Sequence, residues 1–323
     1  MRPTIVLFVL GLAFAVFVPR SAVAVDTALS PKIALNFTWQ AAFMPLLYGQ
    51  SKGYFKDAGV TPDFIPTRGS DQALQLIESG QVDYAFIDCD TFLAAAAQKK
   101  TTTTAVYVWL DKPTLAVVSM APLSGPKALS GKSFGTLPQS TARTILPFVL
   151  KSDGVDPKTV DVQALDFSVL YALFFRGQVD TAEIHAPGSW ENVQEQAAAQ
   201  GKKVYLTMLK DWGLVGYDKI LVVRTALLHD SPADVKRVVG AINRSLTQAL
   251  AHATDADAST LLQPLLPQAK PDALVGDWHD FKNLVVKPGP IDARVFGNSL
   301  QRLKDVGVIT DIPPVATLYT NPR

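Results

Sequence analysis

Cysteine is almost missing from this sequence: Cys89 stands alone among 323 residues, which excludes an intrachain disulfide even in an oxidising compartment. It lies in Ala85-Phe86-Ile87-Asp88-Cys89-Asp90, a strand-like run in which a small buried apolar residue is expected. A nucleophilic thiolate would need an activating base or cation, and no histidine is near in sequence. Histidine is scarce too: His185, His229, His252 and His279 show no metal-ligand spacing, so neither a metal nor another cofactor is expected. Neither sign of charge dominates, with 30 basic against 29 acidic side chains and no charge block, so nothing points to nucleic acid or to a membrane surface.

Long apolar runs are missing as well, with one exception at the start. Met1-Arg2 supplies a positive charge, residues 5–18 are uninterruptedly apolar, and Ser21-Ala22-Val23-Ala24 offers small residues where a signal peptidase reads. The run is short of the ~20 residues that a spanning helix needs. A cleaved secretory signal over residues 1–24 is expected, without a lipid anchor, because no Cys follows it; Arg20 is mildly atypical there. What remains of the chain, at about 150 residues per domain, suggests two compact units.

From residue 32 onward short β-type runs alternate with helical stretches, the pattern of an α/β protein with mostly parallel sheets. Strands are predicted at 32–37, 61–66, 82–87, 115–120, 133–136, 160–164, 179–184 and 220–224. Helices are predicted at 44–54, 70–79 with a Ser-Asp cap and a Gly80 stop, 91–98 opened by Asp90-Thr91, 168–176 and 232–254. One segment recurs: Leu76-Ile77-Glu78-Ser79-Gly80-Gln81-Val82-Asp83 is echoed by Leu173-Phe174-Phe175-Arg176-Gly177-Gln178-Val179-Asp180. A helix, a Gly stop and a strand entered through Gln-Val-Asp thus appear twice, roughly a hundred residues apart, which favours paired lobes. The expected division is a first lobe over 25–121, a second over 122–214, and a return to the first over 215–323. The first crossing is placed within residues 111–129, where Pro122, Gly125 and Pro126 are breakers, a second falls near 213–219, and a Pro-rich tail after Ile312 wraps the first lobe. Two crossings make a hinge.

The stretch Leu35-Asn36-Phe37-Thr38-Trp39-Gln40-Ala41-Ala42-Phe43-Met44-Pro45-Leu46-Leu47-Tyr48-Gly49-Gln50-Ser51-Lys52-Gly53-Tyr54-Phe55, followed by Lys56-Asp57-Ala58-Gly59-Val60, resembles ABC-transporter solute-binding proteins of the nitrate, sulfonate, taurine and thiamine-pyrimidine type. Gly80 to Asp83 and Leu129-Ser130-Gly131-Lys132-Ser133-Phe134-Gly135 add to the likeness. The resemblance implies a two-lobed type II periplasmic binding fold, each lobe a mixed, mostly parallel sheet flanked by helices. It also implies a monomeric, non-enzymatic periplasmic receptor that closes on a small molecule and hands it to an ABC permease. Thiamine-pyrimidine members carry Pro-Asn-x-Asn-His in the first loop, where this chain has Trp39-Gln40-Ala41-Ala42-Phe43, with Phe43 in place of the His. That departure, with the missing cysteine-rich iron motif, argues against the self-sacrificing pyrimidine synthase. An enzyme on the same scaffold and a ligand-sensing partner of a membrane receptor are the alternatives.

Ligands of open α/β sheets lie beyond the carboxyl ends of strands, beside helix N-termini. The candidates there are Trp39, Gln40 and Phe43 after the first strand; Arg68, Gly69 and Ser70 after the second; and Asp88, Asp90 and Thr91 after the third. In the second module they are Gln139, Ser140, Thr141 and Arg143, which resemble the family's anion contact, with Glu183 and His185 as hydrogen-bonding groups across the cleft and Trp109 as a further wall. Arginines on one side and carboxylates on the other leave an aromatic, a pyrimidine and an organic anion all open as ligand.

Overall fold

The computed structural model describes residues 28–138, 140–186 and 190–322; the expected signal segment and Gln139 lie outside them. Among the described residues no helix is long and apolar enough to cross a membrane. The strands, in chain order, are β1 Lys32–Ala34, β2 Asp63–Ile65, β3 Tyr84–Asp88, β4 Thr103–Leu110, β5 Leu115–Ser119, β6 Ser133–Thr136, β7 Asp161–Ala164, β8 Thr181–His185, β9 Tyr205–Met208 and β10 Lys219–Arg224. They form two five-stranded sheets, ordered β2-β1-β3-β10-β4 and β7-β6-β8-β5-β9.

In the first sheet β1 runs parallel to β2 and β3, while β10 is antiparallel to both β3 and β4. Four strands therefore share one direction and β10 alone is reversed. The second sheet repeats this with β5 as its reversed member. The reversed strands are the two that follow the crossings, so each sheet is completed by the chain just arriving from the other lobe. The expected first lobe runs to residue 121, yet β5 within that span pairs with β8 and β9 of the second sheet. The first crossing is thus the short segment 111–114. Pro122, Gly125 and Pro126 break the chain inside the second lobe instead, where Pro126–Leu129 forms a 3-10 turn.

The recurrent segment has one structural meaning in both lobes. Gly80 and Gly177 end their helices with φ of +73° and +72°, a conformation that costs glycine least. Three residues on, Asp83 Oδ2 accepts the Lys32 N–H (3.0 Å) at the start of β1, and Asp180 Oδ2 accepts the Ser133 N–H and hydroxyl (both 2.8 Å) at the start of β6. Each aspartate ties the strand that it precedes, β3 or β8, to the parallel strand beside it, β1 or β6. The Ser133 backbone and side-chain hydrogen bonds hold the Asp180 carboxyl below its ordinary range. A depressed carboxylate contributes stability that is present above its unfolded pKa and is lost as pH falls through the folded one. Asp180→Ala is expected to cost about 1 kcal/mol or less at pH 7, since the group is exposed. In urea unfolding across pH, that gap should close below the ordinary carboxylate value near 3.9.

Each sheet carries an apolar cluster on both faces. Helix Met44–Ser51 packs on the long helix Pro232–His252, and helix Ala293–Asp305 packs on helix Cys89–Ala97. The tail covers the open edge of β4: Ala105 N–H donates to Leu318 O (3.0 Å) and Thr320 N–H to Ala105 O (2.9 Å).

Candidate functional site

The carboxyl ends of β1 and β3, the loop after β2 and the start of the reversed β10 converge at the cleft face of the first lobe. Asn36, 7 % exposed, follows β1 and donates from Nδ2 to Asp88 Oδ1 (2.7 Å) and to Ser70 Oγ (3.4 Å). Ser70 Oγ also accepts the Asp88 N–H (2.9 Å), so this hydroxyl binds across the sheet and does not cap its own helix. Buried Lys219 stands 3.6 Å from both Asp88 and Asp218 and lies over the Phe43 ring (5.9 Å to centroid).

From there a hydrogen-bonded chain passes through both crossings into the second lobe. Thr114, in the first crossing, donates its N–H (2.8 Å) and its hydroxyl (2.7 Å) to Asp218 Oδ2 in the second. Its Oγ1 lies 3.0 Å from His185 Nδ1 at the end of β8. The Thr114 proton is already committed to Asp218, so His185 must donate from Nδ1; the network thereby assigns the tautomer that leaves Nε2 as an acceptor in the neutral ring. A second tie is Arg302, on helix Ala293–Asp305, which reaches Asp90 Oδ1 (2.5 Å) and the Val215 carbonyl (2.5 Å) with both side chains of the pair 6 % exposed. Burial raises the Asp90 carboxyl pKa against the lowering effect of Arg302.

Two cavities lie between the lobes. One, of about 470 Å³, is lined from the first lobe by Phe37, Trp39 and Gln40 and by helix Pro271–Leu284, and from the second by Phe167, Tyr171 and helix Trp190–Ala199. Its aromatic wall crosses the cleft: Phe37 meets Phe167 edge-on at 6.1 Å, and Phe167 meets Tyr171 at 5.9 Å. At its rim Lys270 pairs with Glu195 of the other lobe (2.9 Å). The other cavity is a hollow of about 20 Å³, bordered by Asp88, Asp90, Thr141, His185, Tyr217, Asp218 and Arg302.

The structure brings Trp39 and Gln40 to the large cavity and Asp88, Asp90, Thr141 and His185 to the hollow. Other expectations are corrected. Phe43 and Trp109 are wholly buried in the first-lobe core, where Trp109 Nε1 donates to Ala42 O (3.0 Å) and the two rings pack with Phe86, so neither is a cleft wall. Glu183, 2 % exposed, accepts from the Thr136 hydroxyl (2.6 Å) and the Leu137 N–H (2.9 Å), and so holds its own lobe's loop without reaching across. Asp90 does not cap its helix: the helix begins at Cys89 with Asp88 in the cap position, and Asp90 meets Arg302. Arg68, Gly69 and Thr91 line neither cavity; Arg68 is exposed and Thr91 half-buried on helix Cys89–Ala97. Ser140 Oγ accepts the Ala142 N–H (3.0 Å), and exposed Arg143 turns back to the Pro138 carbonyl (2.9 Å). Cys89 is fully buried, and burial with the Asp90 charge pushes its thiol well up, away from a reactive thiolate.

Sequence reasoning missed Asn36, Phe37, Thr114, Phe167, Tyr171, Asp218, Lys219 and Arg302. Asn36 and Phe37 were within reach of the strand-end rule. Asp218 and Lys219 were not, because β10 runs backwards and presents its beginning to the cleft.

A family profile described as NMT1/THI5 like matches residues 40–256. No curated protein matches the chain in sequence. Among solved structures, the chain is similar to the periplasmic aliphatic sulphonate binding protein SsuA from Escherichia coli, with a TM-score of 0.72, 13 % identity, and 91 % of this chain and 92 % of that one covered. It is similar to the alkanesulfonate-binding protein SsuA from Xanthomonas axonopodis pv. citri bound to MOPS, at 0.69 and 18 % identity, covering 90 % and 98 %. The desulfurization enzyme DszB shares the fold at 0.58 and 12 % identity, covering 91 % and 96 %. At these identities the likeness is one of fold, the two-lobed arrangement of periplasmic binding proteins.

Proposed function

The chain belongs to the NMT1/THI5-like family, and on that footing we propose that it is a periplasmic solute-binding receptor, exported by a cleaved signal, that closes its lobes on a small organic molecule and presents it to an ABC permease. The observation that carries this is the cavity of about 470 Å³ walled by both lobes. Its size and its mix of aromatic faces with a few polar groups suit a small ligand. Trp39, Gln40, Phe37, Phe167 and Tyr171 are its proposed contacts, and closure follows because a ligand touching both lobes stabilises the state that joins them. The enzymatic alternative, prompted by the DszB fold, finds little chemistry: Cys89 is sealed away, and Phe43 stands in the core where the thiamine-pyrimidine relatives have a histidine.

The test is to denature the purified protein, identify the released small molecules by mass spectrometry, and return them to stripped protein in a thermal melt. Ligand at about 100 times its Kd should add about 2.7 kcal/mol and raise Tm by about 5 °C or more. Phe167→Ala should weaken binding about tenfold while leaving the unliganded Tm nearly unchanged, since that ring is already 50 % exposed. A stripped protein that no released or screened solute stabilises, or one that converts its ligand, would sink the receptor assignment.

A further inference from the structure

The chemistry of the small hollow says more about the solute than the large cavity does. Its border holds Asp88, Asp90 and Asp218, against which stand Arg302, itself a border residue, and Lys219, wedged between Asp88 and Asp218; the carboxylates outnumber the cations. Their pairing leaves acceptors over. Asp90 Oδ2 is buried without a hydrogen-bond donor among the described residues, as is the neighbouring Asn36 Oδ1, and Asp218 Oδ1 makes no hydrogen bond, with the Lys219 ammonium 3.6 Å away. Asp90 is 6 % exposed and the Asp218 side chain 9 %. His185, whose Nδ1 donates to Thr114, also borders the hollow. Two donors beside the hollow are also unpaired among the described residues: the Ser299 hydroxyl, and Nε of Arg302, whose charge Asp90 already balances.

Buried acceptors without donors are costly to leave unmade, and a group that brings several N–H donors and a positive charge satisfies them together. We propose that this hollow is the head-group subsite of the ligand and that it takes a protonated amine, so that the cargo is an ammonium-bearing organic molecule with an aromatic or aliphatic body and not a sulfonate. At about 20 Å³ the hollow has room for one small group such as an ammonium nitrogen. Consecutive residues serve both spaces: Asn36 bonds Asp88 at the hollow and Phe37 lines the large cavity. The fold neighbours SsuA are described as binding sulphonates. Here the arginines are turned elsewhere, Arg143 to a carbonyl and Arg302 to Asp90, so a sulfonate would meet carboxylates.

This inference rests on the receptor assignment, and its experiment separates the two. Stripped protein is titrated calorimetrically with matched phenylethyl and hexyl compounds ending in ammonium, hydroxyl or sulfonate. The amines are expected to bind at least tenfold more tightly than the alcohols, with sulfonates weaker still, and Asp88→Asn should remove most of the amine preference. That substitution keeps the oxygen that accepts from Asn36, and the unliganded Tm confirms that the variant folds. A sulfonate that binds as well as the amine, or an amine preference that survives Asp88→Asn, overturns the ammonium subsite and leaves the receptor assignment standing. If no compound of either series binds and the denatured protein releases no small molecule, both fall.

Discussion

Arg302→Ala should lower folding stability by about 3–5 kcal/mol, because it leaves a buried carboxylate without its partner. Arg302 is 6 % exposed, is bound to Asp90 and to the Val215 carbonyl, and lies over the Phe148 ring of the second lobe (5.8 Å). Its loss therefore strands Asp90 and frees the second crossing at once. The Asp90 carboxyl is already raised by burial, with Arg302 the largest opposing influence, so in the variant it rises further. A raised carboxylate destabilises the fold when ionised, so the deficit should shrink as pH falls toward the ordinary carboxylate range. Urea unfolding at pH 7.5 and 5 measures both effects. The double variant Asp90→Leu with Arg302→Met should recover most of the loss, since an apolar pair of similar volume carries no desolvation cost. A deficit under about 1 kcal/mol for the single variant would mean that water replaces the guanidinium, and that the tie is weaker than its burial implies.

Gly49→Ala is the second large effect. A Cβ there would lie 1.9 Å from Ser245 Oγ and 2.5 Å from Ser245 Cβ, where helix Met44–Ser51 crosses helix Pro232–His252. Ser245 is itself 0 % exposed and donates back to the Ala241 carbonyl (2.8 Å), so it has no room to swing away. Overpacking of this kind costs about 1–3 kcal/mol, and the backbone approach here argues for the upper end. Ser245→Gly in the same chain vacates the space, and the pair should recover much of the stability, less the cost of glycine in a helix, about 1 kcal/mol. A double variant no better than Gly49→Ala would locate the clash elsewhere, with Phe55 Cε2 at 3.0 Å the next neighbour.

Much of the fold was legible in the sequence because its signals are local. The Gly stops and the repeated Gln-Val-Asp announce two related lobes, and the aspartates prove to do the same work in each. Strand β4, buried at all eight residues, was not predicted, although the equally buried β5 was. The early crossing was hidden because the breakers that follow β5 look like a linker. At the proposed site, rules of local sequence pointed to Trp39, Gln40, Asp88, Thr141 and His185, all of which line one of the two cavities. They overcommitted Phe43 and Trp109, because a large aromatic near a strand end looks the same whether it faces a cleft or a core. Arg302 carries no local mark at all; only the packing of the last long helix against Asp90 gives it a role.

The register of β4 and β10 has an architectural consequence. Leu110, at the end of β4, is the partner of Lys219, at the start of β10, in an antiparallel pair. In spatial terms those two strands are a hairpin whose loop happens to be an entire lobe. The second lobe is thus an insertion into the first, and splicing Leu110 to Lys219 through a two-residue Asn-Gly turn would close the host on itself. An engineer could exchange the guest for another lobe, or for a reporter, at a junction that the molecule already supplies.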